Sequence, residues 1–78
     1  MLFKKIEKKI DIYQIMKDYF VQVEDNNEII EFYLYHKDYG VKTLMFGMPK
    51  KEVSDIRQII LDNAEDYILD YIEKYIEE

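Results

Sequence analysis

The chain predicts an α+β domain of order α-β-β-β-α: an N-terminal helix, a three-stranded antiparallel meander, and a long C-terminal helix with a candidate break in it. Three observations lead there. Apolar residues recur every three or four positions at the start, every second position over about 19–47, and every three or four again after Pro49. Two short turn clusters divide the middle zone, so its strands pair as hairpins. The 78 residues contain no cysteine, which allows a single domain with one core and no disulfide.

Residues 2–18 read as helical. Phe3, Ile6, Ile10 and Tyr13 recur at helical steps, with Lys4, Lys5, Lys8 and Lys9 on the other side. Asp11 followed by Gln14 is a capping-box variant that could restart the helix at Ile12. Ile10, Ile12, Ile15 and Met16 would also tolerate a strand.

Alternation then takes over. Tyr19, Val21 and Val23 form one side of a first strand. Asp25-Asn26-Asn27 is a turn, because Asn and Asp accept left-handed backbone angles. A strand over 28–36 places Ile30, Phe32 and Leu34 on one face and Ile29, Glu31, Tyr33 and Tyr35 on the other. Lys37-Asp38-Tyr39-Gly40 is the next turn, with Gly40 able to take a positive φ. A third strand over 41–46 is closed by Gly47.

Pro49 suits the first turn of a helix, where its missing N–H costs nothing. From there Val53, Ile56, Ile60, Ala64, Tyr67, Ile68, Tyr71, Ile72 and Tyr75 fall on one broad arc. Asp62, Asp66, Asp70, Glu73 and Glu77 fall on the opposite one. A helix running to the C-terminus would be ~42 Å long and would overhang a body roughly 30 Å across. Asp62-Asn63 is the natural break, since both side chains compete for backbone hydrogen bonds.

Composition closes several function classes. Eleven basic against seventeen acidic residues give a net charge of −6, which opposes direct nucleic-acid binding and adhesion to anionic membranes. No apolar run approaches the ~20 residues of a membrane span, and the N-terminus lacks the apolar core of a secretory signal. The expected location is the cytoplasm. Gly, Pro, Ala and Arg together supply five residues. All four use GC-rich codons, which points to an AT-rich bacterial or phage genome.

Catalytic chemistry has little to work with. Thr43, Ser54 and His36 are the only non-tyrosine hydroxyls and the only imidazole. Ser54 is expected in the first turns of the long helix and His36 at the end of a strand, outside the ~3 Å reach of a nucleophile–base pair. His36 is expected to be a rim residue covering the core. With only Gly40 and Gly47 no phosphate-cradling loop can be written. Glu24, Asp25 and Glu28 lack the spacing of a calcium loop and read as a solvated hairpin tip. No cofactor, metal or enzymatic activity is expected.

Two features are left. Residues 1–17 carry +3 and residues 62–78 carry −6. The two segments could lie side by side and neutralise each other, both could be solvated faces, or the acidic row could face a basic partner. Helical spacing sets those carboxylates at ~5–6 Å steps, a row that can compete for a basic nucleic-acid channel. Apolar and aromatic residues also exceed the needs of one core. Tyr33 and Tyr35 face away from Phe32, while Ile59 and Leu69 project into the acidic arc. Either the N-terminal helix covers the Tyr33/Tyr35 face, or a second copy or foreign protein does. The Tyr67, Tyr71 and Tyr75 stripe is expected to be core.

The expected function is therefore a non-enzymatic protein–protein interaction. Its sharpest form is a phage-type counter-defence inhibitor whose acidic helix blocks a basic nucleic-acid-binding site. The alternative is a homodimeric structural or regulatory domain, such as an antitoxin-like or accessory subunit. The candidate contacts are Asp62, Asp66, Asp70, Glu73, Glu77, Ile59, Leu69, Tyr33 and Tyr35.

Overall fold

In the computed structural model, which describes residues 9–76, four strands precede the helix. β1 (Lys9–Met16), β2 (Tyr19–Asp25), β3 (Ile29–His36) and β4 (Lys42–Pro49) form one antiparallel sheet in the order β1-β2-β3-β4. A single 3-10 turn (Lys50–Glu52) leads to α1 (Ile56–Tyr71), which ends in a π-helical turn (Ile72–Ile76). The architecture is β-β-β-β-α.

The expected N-terminal helix is thus overturned over residues 9–16; its remainder, residues 2–8, lies outside the described residues. The helical spacing of Ile10 and Tyr13 competed with the alternation of Ile10 and Ile12, and alternation won. β-branched isoleucine favours the pleated backbone, and Lys17-Asp18 lets the chain reverse at once onto Tyr19. An apolar strand edge next door then offered β1 a full antiparallel ladder, from Lys9 opposite Asp25 to Met16 opposite Tyr19.

The three expected strands are present as β2, β3 and β4, paired in that order. Between β2 and β3 the left-handed residue is Asn27, at φ 79°. Its N–H donates to Asp25 Oδ1 at 2.9 Å, and the Ile29 N–H donates to Asn26 Oδ1 at 3.1 Å. The positive φ expected at Gly40 does not occur; the Lys37–Gly40 turn closes without it.

Each edge strand carries a bulge. In β1 the register shifts between Gln14 and Met16, and in β4 it shifts opposite Phe32 and Tyr33, leaving Met45 without a counterpart. An extra residue turns two successive side chains to one face. Ile15 and Met16 therefore both point to the helix side of the sheet, as do Met45 and Phe46.

Pro49 does not begin the helix. It ends β4 opposite Ile29, on an edge strand where a missing N–H is tolerated, and the Lys50 N–H then donates to the Glu28 carbonyl at 2.8 Å. The helix starts seven residues later, capped by Asp55, whose carboxylate accepts the Gln58 N–H at 3.3 Å. Ser54 stands outside the helix, exposed, before that cap. The break expected at Asp62-Asn63 is also absent. Gln58 Nε2 donates to Asp62 Oδ1 at 2.7 Å and Asn63 Nδ2 donates to the Ile59 carbonyl at 2.7 Å. Both side chains are engaged one turn back along the helix instead of competing with its ladder.

α1 packs on the face of β3 that carries Ile30, Phe32 and Leu34, as expected. Those three, Val21, Val23, Met45, Ile60, Ala64, Ile68, Tyr19 and Tyr71 make one core. Phe32 is fully buried and stacks on Phe46 with ring centroids 4.7 Å apart. Tyr71 locks the end of α1 to the sheet: its hydroxyl donates to the Val41 carbonyl at 2.7 Å and accepts the His36 N–H at 3.4 Å. Of the tyrosine stripe, Tyr71 is core, Tyr67 is half-buried against Phe46, and Tyr75 is exposed. Among the described residues no helix is long and apolar enough to cross a membrane.

Candidate interaction surfaces

The outer side of α1 follows directly from the packing of its inner side. With Ile60, Ala64, Ile68 and Tyr71 turned to the sheet, the residues at complementary helical positions must face water. Asp62, Glu65, Asp66, Asp70 and Glu73 are all exposed. Asp62, Asp66 and Asp70 stand at four-residue steps, one above the next. Lys74 Nζ lies 3.1 Å from Asp70 Oδ2, and that contact raises the Lys74 pKa above its usual value through the side-chain hydrogen bond first and the Asp70 charge second. Glu77 lies outside the described residues.

Leu69 is 59% exposed in the middle of this acidic arc, as its spacing predicts. Ile59 is not part of the arc's surface: it is half-buried and packs against the core. Its place at the arc's margin lets the side chain turn back toward the core, which the helical period alone does not reveal. Leu61, 67% exposed, was not among the candidates; the neighbouring Leu61-Asp62 pair signals a residue at the border of the apolar arc.

A groove of about 370 Å³ separates α1 from β1. Its walls are Ile15 and Met16 on the strand and Leu61, Glu65, Leu69 and Ile72 on the helix. Near the start of α1, Arg57 stands over the Tyr13 ring, 5.8 Å from the centroid.

The second surface is the sheet face away from α1. Tyr33 and Tyr35 lie there, half-buried. Tyr35 stacks on Phe20 at 5.5 Å, and Lys42 Nζ sits 4.7 Å above the Tyr33 ring. Ile10, Ile12 and Leu44 share this face and are more than half exposed. Glu24 is also here, and the solvated hairpin tip expected of it is incorrect. It is buried, at 6% exposure, where it accepts from Gln22 Nε2 at 2.9 Å and pairs with Lys42 Nζ at 3.3 Å. A carboxylate with this little exposure needs such partners. Asp25, its neighbour, pairs with Lys50 at 3.0 Å.

His36 is a rim residue. Its ring meets Tyr19 and Tyr39 edge-on, each at 4.9 Å, and its Nδ1 accepts the Asp38 N–H at 3.1 Å. Burial, then the neighbouring Tyr71, Tyr39 and Asp18, raise the Tyr19 pKa above 10.0. No group of three or more His, Asp or Glu side chains able to hold a metal ion occurs among the described residues.

The two surfaces differ in chemistry: carboxylates stand beside exposed leucines on one side, and aromatic rings beside exposed isoleucines on the other. Comparison of the chain with protein-family models, with curated proteins and with solved structures gives no match.

Proposed function

We propose that this protein is a non-enzymatic interaction domain, acting in the cytoplasm, that presents the outer side of α1 to a basic surface of another protein. The target surface has the chemistry of a nucleic-acid-binding site, and the domain inhibits its target by occupying it. One observation carries the reading: Asp62, Glu65, Asp66, Asp70 and Glu73 are exposed together along one side of a continuous helix, with Lys74 at its end as the cation paired to the row. A row of like charge held on a rigid helix is the arrangement that steers association with an oppositely charged surface.

The test is charge reversal. Replacing Asp66, Asp70 and Glu73 with Lys changes the net charge from −6 to zero and touches no core residue. Folding survives, because exposed helix charges contribute only tenths of a kcal/mol each. Binding to a partner recovered from host lysate falls at least about tenfold, since two or more lysines now face the partner's own cations. The wild-type complex weakens as salt rises, because exposed charges are screened within ~8 Å at physiological ionic strength. A partner whose affinity ignores both the reversal and the salt refutes the reading.

The sheet's other face supports a second reading, a homodimer. Ile10, Ile12 and Leu44 are 53%, 57% and 55% exposed beside Tyr33 and Tyr35. Sedimentation analysis of the wild type and of Ile12→Lys separates the two: a dimer that dissociates on this substitution favours self-association.

A further inference from the structure

One helix is narrower than the four-stranded sheet beneath it. Strands ~4.8 Å apart set β1 and β4 roughly 14 Å from each other, while an α-helix with its side chains is about 10–12 Å across. α1 is drawn to the β4 side, where Tyr67 meets Phe46 at 5.9 Å and Tyr71 bonds Val41. On the β1 side the apolar layer formed by the described residues is left unfinished. Met16, Leu61 and Leu69 are 54%, 67% and 59% exposed around the groove described above.

The surroundings select the shape and charge of what fits. Strand addition is opposed at this place, because the bulge at Ile15 interrupts the β1 ladder beside the groove. A second copy of the chain is opposed by charge: its own α1 is acidic on its free side, and each chain carries −6. Among the described residues Glu65 is the only charged side chain lining the groove, and Asp62 and Glu73 stand within two turns of Leu69 on its outer border.

We infer that the groove between α1 and β1 seats an amphipathic helix of a partner protein, with its apolar stripe on Met16, Leu61 and Leu69 and its basic flank on Glu65, Asp62 and Glu73. This rests on the proposed acidic contact surface and gives it a seat. The partner helix completes the layer as a second helix on the sheet, with anchors at i, i+3, i+4 and i+7 spacing.

The experiment compares two synthetic peptides of about 18 residues, long enough to fold as helices when bound. One carries Leu at helical spacing in a Lys/Gln background; the other has the same composition scrambled so that no face is apolar. Fluorescence anisotropy against the wild-type domain should show the facial peptide binding about tenfold tighter or more, with a gain of helical circular dichroism. Leu61→Ser/Leu69→Ser should erase that preference while melting as the wild type does, and Met16→Ser, on the opposite wall, should reduce it. Equal binding of the two peptides, an unchanged preference in these variants, or binding without gained helix overturns the groove. So does a wild-type dimer that the leucine variant dissolves. The acidic reading fails on a different observable: affinity for both peptides that is indifferent to salt and to the Asp66, Asp70 and Glu73 reversal.

Discussion

The two edges of the sheet use the same device and end in different environments. At β4 the bulge turns Met45 and Phe46 under α1, where Met45 is 7% exposed and Phe46 stacks on Phe32. At β1 the bulge turns Ile15 and Met16 to the same side, yet Met16 is 54% exposed and Ile15 only half-buried. Both pairs are apolar, both sit on edge strands, and both face the helix layer. The difference lies in where α1 rests. Burial is a property of what stands opposite a residue, so equal hydrophobicity at two symmetric positions yields a core on one side and a contact surface on the other.

The strongest check on this comparison uses the centre of the covered face as a reference. Phe32→Ala should cost about 3–5 kcal/mol, a large share of the stability of a domain this size. Denaturant or thermal unfolding reads it. A melt within a few degrees of wild type would place Phe32 outside the core and remove the basis of the comparison.

The comparison itself is measured by the same substitution at both edges. Met45→Ala should cost about 2–3 kcal/mol, because a buried side chain leaves a cavity. Met16→Ala should cost less than about 1 kcal/mol, because a half-exposed side chain leaves none. Equal costs would mean that both edges are equally covered.

What holds α1 on the β4 side can be loosened. Tyr71→Phe removes the donor to the Val41 carbonyl and the acceptor for the His36 N–H while keeping the ring. The expected loss is about 1–2 kcal/mol, with hydrogen exchange accelerating at the end of α1 before it does at Ile60. Uniform acceleration along the helix would show that Tyr71 is not the clamp.

The smallest effect concerns alkaline pH and the β1–β2 turn. Tyr19 has its pKa raised above 10.0, chiefly by burial, and Lys37 is raised above 10.5, chiefly by its side-chain bond to Asp18 at 3.2 Å. A group with a raised folded-state pKa contributes stability that is complete below its unfolded pKa and is lost as pH climbs through the folded one. Melting temperature should therefore hold up to about pH 10 and fall above it as the two groups lose their protons, and Tyr19→Phe should make the fall shallower. An identical slope in the variant would remove Tyr19 from the alkaline transition.

Much of the fold was legible because it is written in local periods. Alternation from Tyr19 to Phe46 and the Asn27 turn specified β2, β3 and β4 with their pairing, and the spacing from Ile56 to Tyr71 specified α1 and which of its sides is acidic. The acidic row was readable for the same reason: helical geometry is local, so a residue's position on the wheel places its charge. Residues 9–16 were not legible, because Ile10, Ile12, Tyr13 and Ile15 satisfy two periods over eight positions, and the tie is broken by the β2 edge that β1 joins. Pro49 was misread likewise, since a proline that opens a helix and one that closes an edge strand are identical in sequence.

By itself, then, the sequence determined the meander, the helix and its negative face, for these depend on backbone periods of two and 3.6 residues. Tertiary structure alone decided the fourth strand, the burial of Glu24 against Lys42, the inward turn of Ile59 and the exposure of Met16 and Leu61 beside the groove. Each depends on a neighbour distant in the chain, and above all on one helix too narrow to cover four strands, which local spacing does not encode.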